Sequence, residues 1–134
     1  MKGAVWFDGA CSGNPGPMGA GAVVQLEGGR PQPLSLFMGQ GTNNEAEYHG
    51  LILGLRHALA AGVDDVVVQG DSQLILRQVG GSYKVKAENL RALNAQAVQL
   101  LSQFAKSKLE WVPREENSGA DAAARAAIEN RLRR

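Results

Sequence analysis

DVVVQGD, residues 65–71, is the stretch on which the reading of this chain turns. Val66, Val67 and Val68 follow one another without polar alternation, the pattern of a strand covered on both faces, as in the middle of a parallel sheet. An acid, Asp71, stands where that strand gives way to a short helix predicted over 72–79. Upstream, residues 3–8, 20–26 and 34–38 are β-prone and are joined by the Gly- and Pro-rich connections SGNPGPMG and EGGRPQP, which predicts an antiparallel meander of three strands. The period then changes. Tyr48, Leu51, Ile52, Leu55 and Leu59 recur at helical spacing, Thr42 and Glu45 have the spacing of a capping box that starts a helix near residue 43, and Gly62 stops it.

Downstream of 79, GGSYKVKAE breaks the pattern. A long amphipathic helix follows, with Leu90, Leu93, Ala97, Leu100, Leu101 and Phe104 expected on one face. Residues 108–112 (KLEWV) read as a fifth strand closed by Pro113, and an alanine-rich helix is predicted over 118–131, with the RLRR tail as its solvated, frayed end. The order β-β-β-α-β-α-α-β-α implies an α/β fold. Its centre is a five-stranded mixed sheet, three antiparallel strands plus two parallel ones, with helices on both faces.

A length of 134 residues fits one domain, spanning 1–134. Hydrophobic residues at 44% and charged ones at 20% describe an ordinary globular core, and a net charge of +1 selects no partner by itself. With a single cysteine, Cys11, an intramolecular disulfide is excluded, and a reducing, cytoplasmic setting is the simplest expectation. No apolar run is long enough for a membrane span and the N-terminus does not read as a signal peptide, so no membrane partner is expected.

Four acids then stand out: Asp8 after the first apolar run, Glu47 in the opening turns of the first helix, Asp71, and Asp121 opening the last helix. Three have a local explanation. Asp8 precedes Gly9 in a turn-like sequence, Asp71 could cap the helix after it, and Asp121 suits the positive end of a helix. Glu47 does not, because Thr42 and Glu45 already serve the helix start. In sheets of this kind the reactive crevice lies past the carboxyl ends of the parallel strands, where all four would meet. Like charges that close are costly unless a cation sits among them, and oxygen-only donors favour Mg²⁺ or Mn²⁺.

DGACSGNPGPMGAGAVV (8–24), TNNEAEYHGLILGL (42–55), VVVQGDSQLILRQV (66–79) and LEWVPREENSGADAAARAA (109–127) resemble, in order and over nearly the whole chain, type 1 ribonuclease H. The resemblance implies the ribonuclease H-like fold and an endoribonuclease that hydrolyses the RNA strand of RNA/DNA hybrids. The products would carry 5′-phosphate and 3′-hydroxyl ends. It places Asp8, Glu47, Asp71 and Asp121 on the family's four metal-binding acids, around two Mg²⁺ or Mn²⁺ ions. It also implies that Cys11, Asn14, Asn43, Asn44 and Gln73 line the minor groove of the hybrid, and that Thr42 grips a phosphate of the DNA strand. Amides suit that task because they donate and accept without demanding one base. Tyr83, Lys84 and Lys86 have the composition of a sugar and phosphate contact, with Arg77 and Arg91 nearby.

Two departures from the family pattern matter. GGSYKVKAE is too short for the extra basic helix that many members carry, so weaker substrate binding is expected. The loop before Asp121 reads PREENSG and holds no histidine, which leaves Arg114 as an auxiliary group for the scissile phosphate; an ion pair with Glu115 or Glu116 would explain it equally well. His49 is expected near the Glu47 face and His57 partly exposed. A non-catalytic hybrid-binding module, a junction resolvase and a reverse-transcriptase-associated ribonuclease H are the competing readings. No obligate protein partner is evident and a monomer is expected.

Overall fold

The computed structural model describes residues 1–132, so Arg133 and Arg134 of the expected frayed tail lie outside the described residues. The elements are β1 (Lys2–Cys11), β2 (Gly16–Leu26), β3 (Gln32–Gly41), α1 (Asn43–Ala60), β4 (Asp65–Gly70), α2 (Gln73–Val79), α3 (Glu88–Leu101), β5 (Lys106–Trp111), a 3₁₀ turn (Arg114–Glu116) and α4 (Ser118–Leu132). They form one sheet in the order β3-β2-β1-β4-β5. The meander pairs antiparallel, whereas β4 runs parallel to both β1 and β5. The mixed sheet expected from the sequence is the one observed.

The strands of the meander outrun their expected bounds, and this positions the site. Asp8 does not end β1. It pairs with Gly21 of β2, and β1 continues to Cys11, whereas its pairing with β4 stops at Trp6 and Gln69. Asp8 therefore sits just beyond the parallel part of the sheet, on a strand still held rigid from its other side. A second correction concerns β4. Val66 and Val68 are fully buried but Val67 is only half-buried. The reason is that α4 packs on β1, β2 and β3, leaving that face of β4 thinly covered. Phe104, expected on the face of α3, lies past the helix end, yet it closes the same core.

On one face α1 packs against β1 and β2, with α2 and α3 completing the cover around Val5, Phe7, Leu51, Leu55 and Ile75. The capping box is formed: the Thr42 hydroxyl accepts from the Glu45 N–H at 3.2 Å, and the Glu45 carboxylate accepts from the Thr42 N–H at 3.1 Å. Tyr48 is completely buried and satisfies its hydroxyl twice, donating to Gln78 Oε1 at 2.7 Å and accepting from Asn94 Nδ2 at 3.1 Å. That one phenol ties α1 to α2 and α3.

Two glycines set how closely the helices approach the sheet. At Gly50 of α1 a Cβ would collide with the Asp8 carbonyl, and at Gly21 of β2 one would collide with the backbone of α4. Helix backbone thus rests on strand backbone at both contacts. Alanine at position 50 gains about 1 kcal/mol of helix propensity, but forcing α1 off β1 costs more. The expected net loss for Gly50→Ala is about 2 kcal/mol, read as a lower urea midpoint with unchanged m-value.

Candidate active site

Four elements deliver acids to one cavity of about 480 Å³, lined by Asp8, Gly9, Asn43, Glu47, Asp71, Trp111, Arg114 and Asp121. Asp8 comes from β1, Glu47 from the second turn of α1, Asp71 from the end of β4 and Asp121 from the first turn of α4. Glu47 reaches this place because Gly9, which has no side chain, lets the start of α1 lie against β1. Asp71 is free to point here because the cap of α2 is Ser72, whose hydroxyl accepts from the Ile75 N–H at 3.2 Å. The local explanation of Asp71 as a helix cap thus fails.

Carboxylate oxygens of Asp8, Glu47 and Asp71 lie within 4.8 Å of one another. The fourth acid borders the same cavity but forms an ion pair, Asp121 Oδ2 to Arg125 Nη2 at 2.9 Å. Asp8 is only 7% exposed. Burial pushes its carboxyl up to about 7; the Gly9 N–H, bonded at 2.9 Å, opposes this, while the charges of Asp71, Glu47 and Asp121 add to it. Burial likewise pushes Glu47 up to about 7, opposed by the Ser72 hydroxyl and the Arg114 charge and reinforced by Asp71. The second oxygen of Glu47, Oε2, is buried with no hydrogen-bond partner. A buried acceptor left orphaned beside two like charges fits a cation ligand, and an all-oxygen donor set fits a hard divalent ion.

Asn117 was not singled out from the sequence and does much to assemble this corner. It is 1% exposed, and its Nδ2 donates to the Phe7 carbonyl at 2.9 Å, while its backbone carbonyl accepts from the Asp121 N–H at 3.1 Å. It therefore joins the residue before Asp8 to Asp121 itself. An asparagine directly before a helix reads as a local cap, and its true partner is 110 positions away. Trp111 is the other omission: its indole N–H donates to the Asp71 carbonyl at 3.1 Å.

The remaining expected residues fall into two groups. Near the cavity, Asn14 Oδ1 accepts from the Asn43 N–H at 3.1 Å, and the Cys11 thiol faces the Gly41 carbonyl at 3.1 Å. The first contact binds the β1–β2 connection to the start of α1, and the second joins the end of β1 to the end of β3. Thr42 spends its hydroxyl on the capping box, and Asn44 and the exposed Gln73 open α1 and α2. Arg114 borders both the acidic cavity and a neighbouring one of about 370 Å³ that also holds Cys11, Ser12, Asn43 and Arg125. Among the described residues it forms no ion pair with Glu115 or Glu116.

Tyr83, Lys84 and Lys86, by contrast, do not line the acidic cavity. They occupy the exposed connection between α2 and α3, where the Arg77 guanidinium lies 5.3 Å from the Tyr83 ring centroid and donates to its hydroxyl at 3.0 Å. Arg91 fastens the same connection through the Val85 and Lys86 carbonyls. His49 does not line the acidic cavity, and burial, opposed by the Glu45 charge, holds its imidazole below the usual histidine range. His57 is partly exposed, with Nε2 at 3.1 Å from Gln32 Oε1.

Residues 6–127 match the family model described as Reverse transcriptase-like. A bifunctional protein of Mycobacterium tuberculosis is 42% identical over 131 residues, which cover 96% of this chain and 36% of that protein. The chain thus spans about a third of the length of the first curated relatives it matches. The ribonuclease HI of Halobacterium salinarum is 40% identical over 93% of this chain and 63% of its own length. A crystal structure of RNase H1 from that archaeon superposes with a TM-score of 0.92 at 37% identity, covering 97% of this chain and 99% of the other. The structure of LC11-RNase H1 in complex with an RNA/DNA hybrid gives a TM-score of 0.89 at 36% identity, over 97% and 99% of the two chains.

The raised carboxyls of Asp8 and Glu47 make the folded state hold protons that the unfolded chain has released. Their contribution favours folding fully below about pH 4 and is lost as pH rises through about 7. In EDTA, stability is expected to fall by on the order of 2 kcal/mol between pH 5.5 and 8, a few degrees in Tm. Millimolar Mn²⁺ should restore it at pH 8. In Asp8→Asn both the fall and the restoration should shrink, as thermal melts across pH would show.

Proposed function

Because the chain belongs to the ribonuclease H family, we propose that it is an endoribonuclease cutting the RNA strand of RNA/DNA hybrids. The observation that carries the reading is the cluster of Asp8, Glu47 and Asp71, with its buried, unpartnered Glu47 oxygen. These three acids would hold divalent cations, Mg²⁺ or Mn²⁺, with Asp121 as a fourth ligand once it leaves Arg125. Two such ions, when bound, supply the positive charge that makes water more acidic and offsets charge on a leaving oxygen.

The chain's own groups do the rest. In the hydrolysis, a water oxygen bonds to phosphorus and the bond from phosphorus to the 3′ oxygen breaks, giving 5′-phosphate and 3′-hydroxyl ends. Arg114, permanently charged and at the cavity rim, would orient the scissile phosphate, but it cannot shuttle a proton at neutral pH. Cys11, Asn14, Asn43, Asn44 and Gln73 would meet the minor groove, where a 2′-hydroxyl marks the RNA strand. Thr42 at the start of α1, Tyr83 through its ring and hydroxyl, and Lys84 and Lys86 through charge would meet phosphates and sugars of the hybrid. A binding-only module fits the cavity less well, since uncompensated carboxylates oppose a polyanion.

Asp71→Asn removes one ligand without adding volume, so the variant is expected to fold and still bind hybrid. Its Mg²⁺-dependent cleavage should drop by at least about a thousandfold, the scale of losing electrostatic stabilisation in a transition state. Fragment analysis on labelled hybrid, duplex RNA and four-way DNA junctions measures this. Undiminished cutting would sink the assignment, and preference for junctions would replace it with a resolvase.

A further inference from the structure

Trp111 is the most exposed large apolar side chain among the described residues, at 51%, and it lines the acidic cavity. Its place is fixed twice over. Its backbone is the register partner of Gly70 at the end of β5, and its indole N–H is bonded to the Asp71 carbonyl at 3.1 Å. A tryptophan on a strand end normally buries its ring against the core. Here the ring is held beside the carboxylates by a hydrogen bond and left open to solvent. Leu109, two residues earlier on the same strand, packs against the core instead.

We propose that the Trp111 ring is a substrate-contacting wall of the site, a platform for the sugar edge of the cleaved strand. This rests on the reading of the cavity as a hybrid-cleaving site. Bases in a hybrid are paired and stacked, so the part of the strand that can reach the carboxylates is its ribose and phosphate edge. Asp8, Glu47 and Asp71 would face the phosphate through the cations they hold, and Arg114 brings positive charge to the same cavity. Trp111 supplies an apolar face, electron-rich at its centre, that suits the polarised C–H groups of a ribose. The same N–H that anchors the ring holds the backbone of Asp71, so strand register and this bond together set the ring's place beside that acid.

Ring and N–H can be separated experimentally. The chain has two tryptophans, so in a Trp6→Phe background Trp111 is the sole indole emitter. With Ca²⁺ in place of Mg²⁺ to keep substrate intact, titration with hybrid is expected to change its emission saturably. The midpoint should equal that from the anisotropy of a labelled hybrid. In Mg²⁺ kinetics, Trp111→Ala is expected to raise KM about tenfold, the scale of one aromatic contact to nucleic acid, and Trp111→Phe to restore it. Any fall in kcat should follow the N–H and be shared by both variants. Saturation by anisotropy without an emission change, or a KM in Trp111→Ala equal to that of the parent, overturns the assignment of Trp111 alone. Absence of hybrid binding by the parent protein overturns it together with the proposed activity.

Discussion

The structure depends on one contact of backbone against backbone, where α1 lies across the upper part of β1. Gly9 and Gly50 make it possible by withholding the two β-carbons that would otherwise stand between helix and strand. Once that approach is made, Glu47 has to arrive beside Asp8, because one is carried by the helix and the other by the strand it touches. Asp71 follows from the parallel pairing of β4 with β1, whose last rung leaves the end of β4 next to Asp8. The acidic cluster is a consequence of packing that the core favours for its own sake. Two carboxyls, Asp8 buried and Glu47 half-buried, whose protons are lost only near neutral pH are what that packing costs.

Asp121 stands apart from this logic. It is brought to the cavity through Asn117, a buried amide that reads the Phe7 carbonyl, and it is paired with Arg125. The three acids of sheet and first helix are therefore clustered by the packing itself, whereas the fourth already has a cation of its own. A site built this way has a fixed part and an adjustable part, and the adjustable part sits on the helix that also carries its competing charge.

Much of this was legible in the sequence where the signal is local. Thr42 and Glu45 announce the start of α1 because both partners of the capping box are three residues apart, and the run 65–71 announces β4 because a strand's burial is written into its own side chains. The face of Val67 was misjudged because burial there depends on where α4 ends, which no residue of β4 records. Glu47 was readable because its surroundings left it without a local task, and Asp71 became readable only when Ser72 took the cap. Asn117 and Trp111 stayed hidden for one reason: each has an ordinary local role in sequence, a cap or a strand aromatic, and a distant carbonyl as its actual partner.

The partial cover that α4 gives the sheet has a mechanical meaning. Over β1, β2 and β3 the molecule is three layers thick, whereas over β4 and β5 it is essentially two, with Lys106, Lys108 and Trp111 of β5 left at the surface. Cooperative units within a protein tend to follow such changes in packing, the thinner part opening at lower free energy. The cavity straddles the step, with Asp8 and Asp121 on the thick side and Asp71 on the thin one. Asp8 and Asp71, with oxygens within 4.8 Å of one another, therefore meet across a boundary between regions of unequal stiffness, so that whatever holds the two together would also brace the weaker half of the sheet.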